Sequence, residues 1–206
     1  MSPYDAEQEL QTIRTIMERT ALYERAVAPV LTWLGAVGII SALLGWYKPV
    51  SGAAAFLSYW LCTGAVAVGG AFWLVRNQAM KQGEAFWSPP TRKIVGAMLP
   101  GLMVGGLLGA MGYQTDNAWL ARVMPMVWMW LYGCALHAAS PSLPRGFDYL
   151  AWLFIIFGFV EAILSPRIPG HEKVIYGHIA MGTYFGGLHL CAGTLFHFVQ
   201  KNRSRA

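Results

Sequence analysis

The sequence predicts an all-α fold: a polytopic membrane protein with six transmembrane helices, an N-terminal amphipathic helix and an interfacial inner loop. Three features carry that expectation. The 206 residues are 56% hydrophobic and only 12% charged, about half the charged share of a soluble domain. Six apolar runs are each long enough to cross a hydrocarbon core of about 30 Å at about 1.5 Å per residue. The charges collect at the ends of those runs and in the segments between them, so the net charge of +5 does not mark a nucleic-acid binder. The expected partner is the lipid bilayer, with other membrane subunits or further copies of the chain beside it, and no nucleic acid.

Residues 1–26 come first, as a cytoplasmic or interfacial helix. Leu10, Ile13, Ile16, Met17 and Leu22 recur there at helical spacing on an otherwise polar segment. The first 25 residues hold five acidic side chains and lack a short apolar core, so no cleavable signal is expected. The bundle, 27–199, then places its spans near 27–47, 53–75, 94–113, 118–139, 148–165 and 174–199. Arg122 lies close to the start of the fourth, where a long side chain can snorkel to the interface. Pro100 and Pro125 sit inside spans three and four, where a missing N–H permits a kink. The longest connection, RNQAMKQGEAFWSPPTRK, reads as a short interfacial helix stopped by Ser88-Pro89-Pro90, with Phe86 and Trp87 at headgroup level. Residues 200–206 form a basic tail.

Orientation follows from the cationic side chains. With the N-terminus inside, the inner face collects Arg14, Arg19, Arg25, Arg76, Lys81, Arg92, Lys93, Arg145, Lys201, Arg203 and Arg205. The outer face keeps Lys48, Arg122, Arg167 and Lys173. Eleven against four predicts a multi-pass protein of the inner (cytoplasmic) membrane with both termini cytoplasmic.

Small residues give the strongest local pattern. Gly101, Gly105 and Gly109 form GxxxGxxxG in span three, and Gly182 and Gly186 repeat the spacing in span six. Ridges without side chains let two helices approach closely, which is a packing role. Cys62, Cys134 and Cys191 all fall in apolar runs and read as buried free thiols.

Ionisable groups inside the spans are few: Glu161, His137, His178, His189 and His197, with Asp148 at the start of span five. A carboxyl in hydrocarbon needs a partner, a proton or an aqueous cavity. Glu161 lies about four residues before the end of span five and His178 about four after the start of span six, so a hydrogen-bonded pair is expected. His189, deeper in span six, is expected to contact a backbone carbonyl or a polar side chain of another span.

His178 and His189 are 11 residues apart, about 20° from a common face and about 16 Å along an α-helix. Such a stripe resembles the ligands of a two-haem four-helix cytochrome. That site needs two more histidines on a facing helix, and only His137 is at hand, nearer in depth to His197 than to His189. One haem b, between His137 and His197 or on His189 with another axial ligand, is the alternative that the spacing leaves. A proton path through Glu161, His178 and His189 is another. The reading favoured over both is contacts between helices, with no metal and no cofactor. No CxxC, HExxH, GxSxG or P-loop occurs, which points away from catalysis.

From Ile13 onward the chain resembles a family of uncharacterised bacterial membrane proteins with six transmembrane helices. The resemblance rests on Ile13-Arg14, Met17-Glu18-Arg19, Lys81-Gln82-Gly83 with Trp87, and Thr91-Arg92-Lys93 leading to Leu99-Pro100 and Gly105-Gly106. It continues through Leu131-Tyr132-Gly133, Ala135-Leu136, Ala139-Ser140, Glu161 and Leu188-His189 with Gly193. Where this chain has His137 the family tends to carry Asn. The resemblance implies the topology and no activity.

Three function classes follow as expectations. The first is a non-enzymatic sensor, regulator or accessory subunit acting through protein or lipid contacts. The second is a small transporter or channel using Glu161 and the span-six histidines. The third is a haem- or quinone-linked redox subunit.

Overall fold

The computed structural model describes residues 26–48, 52–83, 85–167 and 173–203, and its described residues form no strand. Helices α1 (Ala26–Tyr47), α2 (Ala53–Lys81), α3 (Pro89–Gln114), α4 (Ala118–Ala139) and α5 (Phe147–Leu164) are followed by a last helix in three pieces. These are α6 (Lys173–Ala180), a π-helical segment Met181–Gly187, and α7 (Leu188–Arg203). The N-terminal amphipathic segment lies outside the described residues.

Among the described residues five helices are long and apolar enough to cross a membrane: α1, α2, α3, the α5 helix, and the last one, continuous over Ile175–Asn202. α4 has the length, 22 residues, but Arg122, His137, Tyr132 and its tryptophans lower its hydropathy. Large apolar side chains such as Leu44, Met103, Leu107, Phe159, Ile163 and Leu195 point outward, as expected of helices whose solvent is lipid.

The connections obey local chemistry. Asn117 caps α4, its side chain accepting from the Leu120 N–H at 3.0 Å. One residue earlier, Asp116 Oδ1 accepts from the Ala54 N–H at 2.9 Å and so serves the first turn of α2. The inner connection differs from expectation. Residues 76–81 continue α2 instead of forming a separate helix, and Gly83, at φ 68, turns the chain. Pro89 then begins α3 instead of stopping a helix, because proline at the first helical position lacks only an N–H that would be unbonded anyway. α3 and α4 run uninterrupted through Pro100 and Pro125. At the far end α7 extends to Arg203, into the segment read as a tail.

The helices pack antiparallel in chain order. A Cβ built at Gly101 would stand 2.8 Å from the Leu131 carbonyl oxygen, one at Gly105 3.1 Å from Trp128, and one at Gly109 3.0 Å from both Trp128 and Leu61. The GxxxGxxxG ridge is therefore the α3–α4 contact, with Leu61 of α2 at its rim, and Trp128 donates its indole N–H to the Gly105 carbonyl at 2.9 Å. Gly133 meets Ile155 and the Ala151 carbonyl, joining α4 to α5.

The last helix closes the bundle against α1. Gly45 meets His178, Gly182 meets Ala42, Gly186 meets Ile39, Gly35 meets Leu190 and Gly193 meets Thr32. Two apolar clusters fill the interior. One surrounds Met129, Leu136, Leu150 and Phe154, and the other surrounds Phe56, Leu57, Trp60, Met124 and Met181.

Candidate functional site

The π segment decides where the polar side chains of the last helix point. A π turn bonds residue i to i+5 and holds one residue more than an α turn. Over Met181–Gly187 the phase therefore slips by about one residue, roughly 100°. His178 and His189, about 20° apart on a continuous α-helix, end up roughly 80° apart and serve different neighbours.

His178 is fully buried and turns toward α1 and α2. Its Nδ1 accepts a hydrogen bond from the Trp60 indole N–H at 3.2 Å. An indole nitrogen can only donate, so the neutral imidazole carries its proton on Nε2. That nitrogen has no hydrogen-bond partner. Phe56 and Tyr59 stand edge-to-face with the ring at centroid distances of 5.1 and 5.3 Å, and Gly45 is where α1 makes room for it. Tyr59 in turn donates to the Ser41 carbonyl at 2.5 Å, tying α2 to α1.

Glu161 is 1% exposed, and its Oε2 accepts from the Tyr176 hydroxyl at 2.9 Å. The expected direct Glu161–His178 hydrogen bond does not form, and the reason is angular. Tyr176 stands on the expected helix and near the expected level, but residues 176 and 178 are about 200° apart around an α-helix. Tyr176 faces α5 while His178 faces α1 and α2. Tyr184, inside the π segment, stacks on Phe157 one turn from Glu161, with ring centroids 5.1 Å apart.

His189 makes both kinds of contact expected of it. Its Nδ1–H donates to the Phe185 carbonyl at 2.7 Å, one turn back, and its Nε2 accepts from the Tyr132 hydroxyl of α4 at 2.7 Å. Phe154 and Phe185 pack around it at 5.1 and 6.0 Å between ring centroids. The neutral ring is thereby satisfied on both nitrogens.

His137 and His197 are both exposed. His137 rests on Trp152 of α5 at 5.7 Å, two residues from the Phe154 that touches His189. His197 lies beyond Phe196, which meets Phe147. Tyr132, which bonds His189, precedes His137 by five residues on α4, so His137 lies about 7.5 Å from the level of His189, on the side of His197. The His189 lone pair that a metal would take is held by Tyr132. Among the described residues no three His, Cys, Asp or Glu side chains gather at a metal-sized site. Cys62, Cys134 and Cys191 are exposed, not buried: apolar surroundings in the sequence meant lipid, not core.

Tyr59, Trp60, Tyr132 and Tyr176 were not expected as hydrogen-bond partners, because only carboxyl and imidazole groups were weighed as polar groups inside the spans. The signal available was the need of each buried acceptor for a donor at its own depth. The chain matches no family model, no curated protein and no solved structure.

Proposed function

We propose that this protein is a six-span bacterial inner-membrane protein with both termini cytoplasmic, and that it works without catalysis as a sensor, regulator or accessory subunit through protein or lipid contacts. One observation carries the reading. The buried polar groups of the spans are used as ties between helices: Glu161 to Tyr176, His178 to Trp60, His189 to Tyr132. None of the three polar residues is more than 2% exposed. A transport path needs such groups along a wetted route, and a redox site needs free ligand lone pairs. What this bundle leaves available is its surface. α4 serves as the sixth span because it packs against α3 and α5 and also meets α2 and α6, so little of it needs to dissolve in lipid.

The test uses purified protein in liposomes. Proton and ion flux should equal that of empty vesicles, and the visible spectrum should lack a Soret band. Flux abolished by Glu161→Gln would replace this reading with the transporter, and a Soret band would replace it with the redox subunit. Topology is tested by cysteine labelling in a background lacking Cys62, Cys134 and Cys191. A probe at Asn117 should react from outside and one at Gly83 should not, and the opposite pattern inverts the orientation.

A further inference from the structure

We propose that α6, Lys173–Ala180, is a latched lid at the Asn117 end of the bundle that swings on the π segment Met181–Gly187. The inference rests on the reading of a protein that acts by changing its contacts. The hinge comes first. Three of the seven π residues, Gly182, Gly186 and Gly187, have no side chain to restrain the backbone, and the i to i+5 bonding interrupts the α ladder between α6 and α7.

Beyond the hinge α7 is clamped. A Cβ at Gly193 would lie 2.8 Å from the Thr32 hydroxyl and 2.9 Å from its backbone nitrogen, and Gly186, at the end of the hinge itself, is as tightly placed against Ile39. The Gly182 backbone resting on Ala42 is the fulcrum.

The latch comes second. α6 continues into the π segment, so its place against α5 and α2 is set by what its side chains touch. It packs through Gly177 on Phe56 and through His178 on Gly45, and two side-chain bonds on opposite faces fasten it, Tyr176 to Glu161 on α5 and His178 to Trp60 on α2.

The closed position also leaves the His178 Nε2–H without an acceptor. An unmet buried donor disfavours the state that contains it. Displacing α6 releases that donor and uncovers the Glu161 carboxyl, which is 1% exposed when the lid is shut. The lid is thus fastened, but against a standing bias to open.

Hydrogen exchange of the full chain in nanodiscs, followed by mass spectrometry, tests the proposal. Tyr176→Phe should speed exchange of Lys173–Ala180 by about tenfold, the size of one lost hydrogen bond to a buried carboxyl, and leave Leu188–Arg203 unchanged. Gly187→Ala stiffens the hinge without crowding it, because its Cβ would meet only the Gly182 carbonyl oxygen at 4.0 Å. It should slow exchange of the same segment by about fivefold. The lid is overturned if Tyr176→Phe leaves the segment unchanged or speeds α6 and α7 alike. It is also overturned if Gly187→Ala has no effect, and this second variant decides alone should Tyr176→Phe not fold. Neither result bears on flux or the Soret band, so the lid and the proposed function fail separately.

Discussion

Helix α3 and the last helix carry the same GxxxG spacing and use it differently. In α3 the three glycines lie on one face of an uninterrupted α-helix, and all three meet neighbouring helices as the spacing implies. In the last helix Gly182 and Gly186 fall inside the π segment, where the α period does not hold. They still pack, but against α1, and the residues on either side are out of the phase that a continuous helix gives them. Spacing arguments hold where the hydrogen-bond ladder is regular, and they fail by a fixed angle where one residue is added.

The largest difference between the two ridges should come from filling them. Gly186→Leu drives a side chain into the Ile39 backbone nitrogen at 2.8 Å and the Gly35 carbonyl oxygen at 3.2 Å, atoms that cannot turn aside. We expect it to prevent assembly of a monodisperse protein in detergent. Gly105→Leu meets Trp128 and Leu131 side chains at 3.1 and 3.5 Å, which can shift, and should lower stability by about 1–3 kcal/mol. Equal effects in a thermal-unfolding series would mean that α1 is not clamped to the last helix.

Next comes the polar tie deepest in the bundle. Tyr132→Phe keeps the ring that packs at 4.8 Å on Phe154 but removes the hydroxyl bonded to His189 Nε2. A buried acceptor without its donor should cost about 1–3 kcal/mol, read as a lower unfolding temperature. Tyr132→Phe with unchanged stability would show that water or another group reaches His189.

A milder change is expected at Glu161. In Glu161→Gln the amide oxygen still accepts from Tyr176, so stability should move by less than about 1 kcal/mol. A larger loss in the same unfolding assay would mean that the negative charge itself holds Tyr176.

The contrast between the two helices also explains what was legible in the sequence. Apolar length placed the described helices, because it acts locally. At the inner connection, however, α2 runs six residues past its expected end and α3 starts five before its expected start, since Pro89 opens a helix there. The glycine ridge of α3 was legible because its spacing, too, acts locally. Glu161 and the depth of its partner were legible from helical rise, since rise adds up reliably along a span. The identity of the partner was not, because it depends on azimuth, and two residues along an α-helix change azimuth by about 200°. The π segment has no proline or other mark in Met181-Gly-Thr-Tyr-Phe-Gly-Gly187 to announce it. The cysteines failed for a different reason: in a membrane bundle an apolar run faces lipid as readily as core, so burial cannot be read from hydropathy.

The smallest expected effect is the control that gives the others meaning. Gly106 follows Gly105 in sequence, yet a Cβ built on it meets nothing within 4 Å. One residue is about 100° of helix, enough to move a side chain from the α3–α4 contact toward the lipid-facing side. Gly106→Leu should leave the unfolding temperature unchanged or raise it slightly, because leucine favours helix over glycine by up to about 1 kcal/mol. If Gly106→Leu destabilises as much as Gly105→Leu, that face of α3 is covered by something other than lipid. A second copy of the chain is then the first candidate, and the mass of the detergent complex would report it.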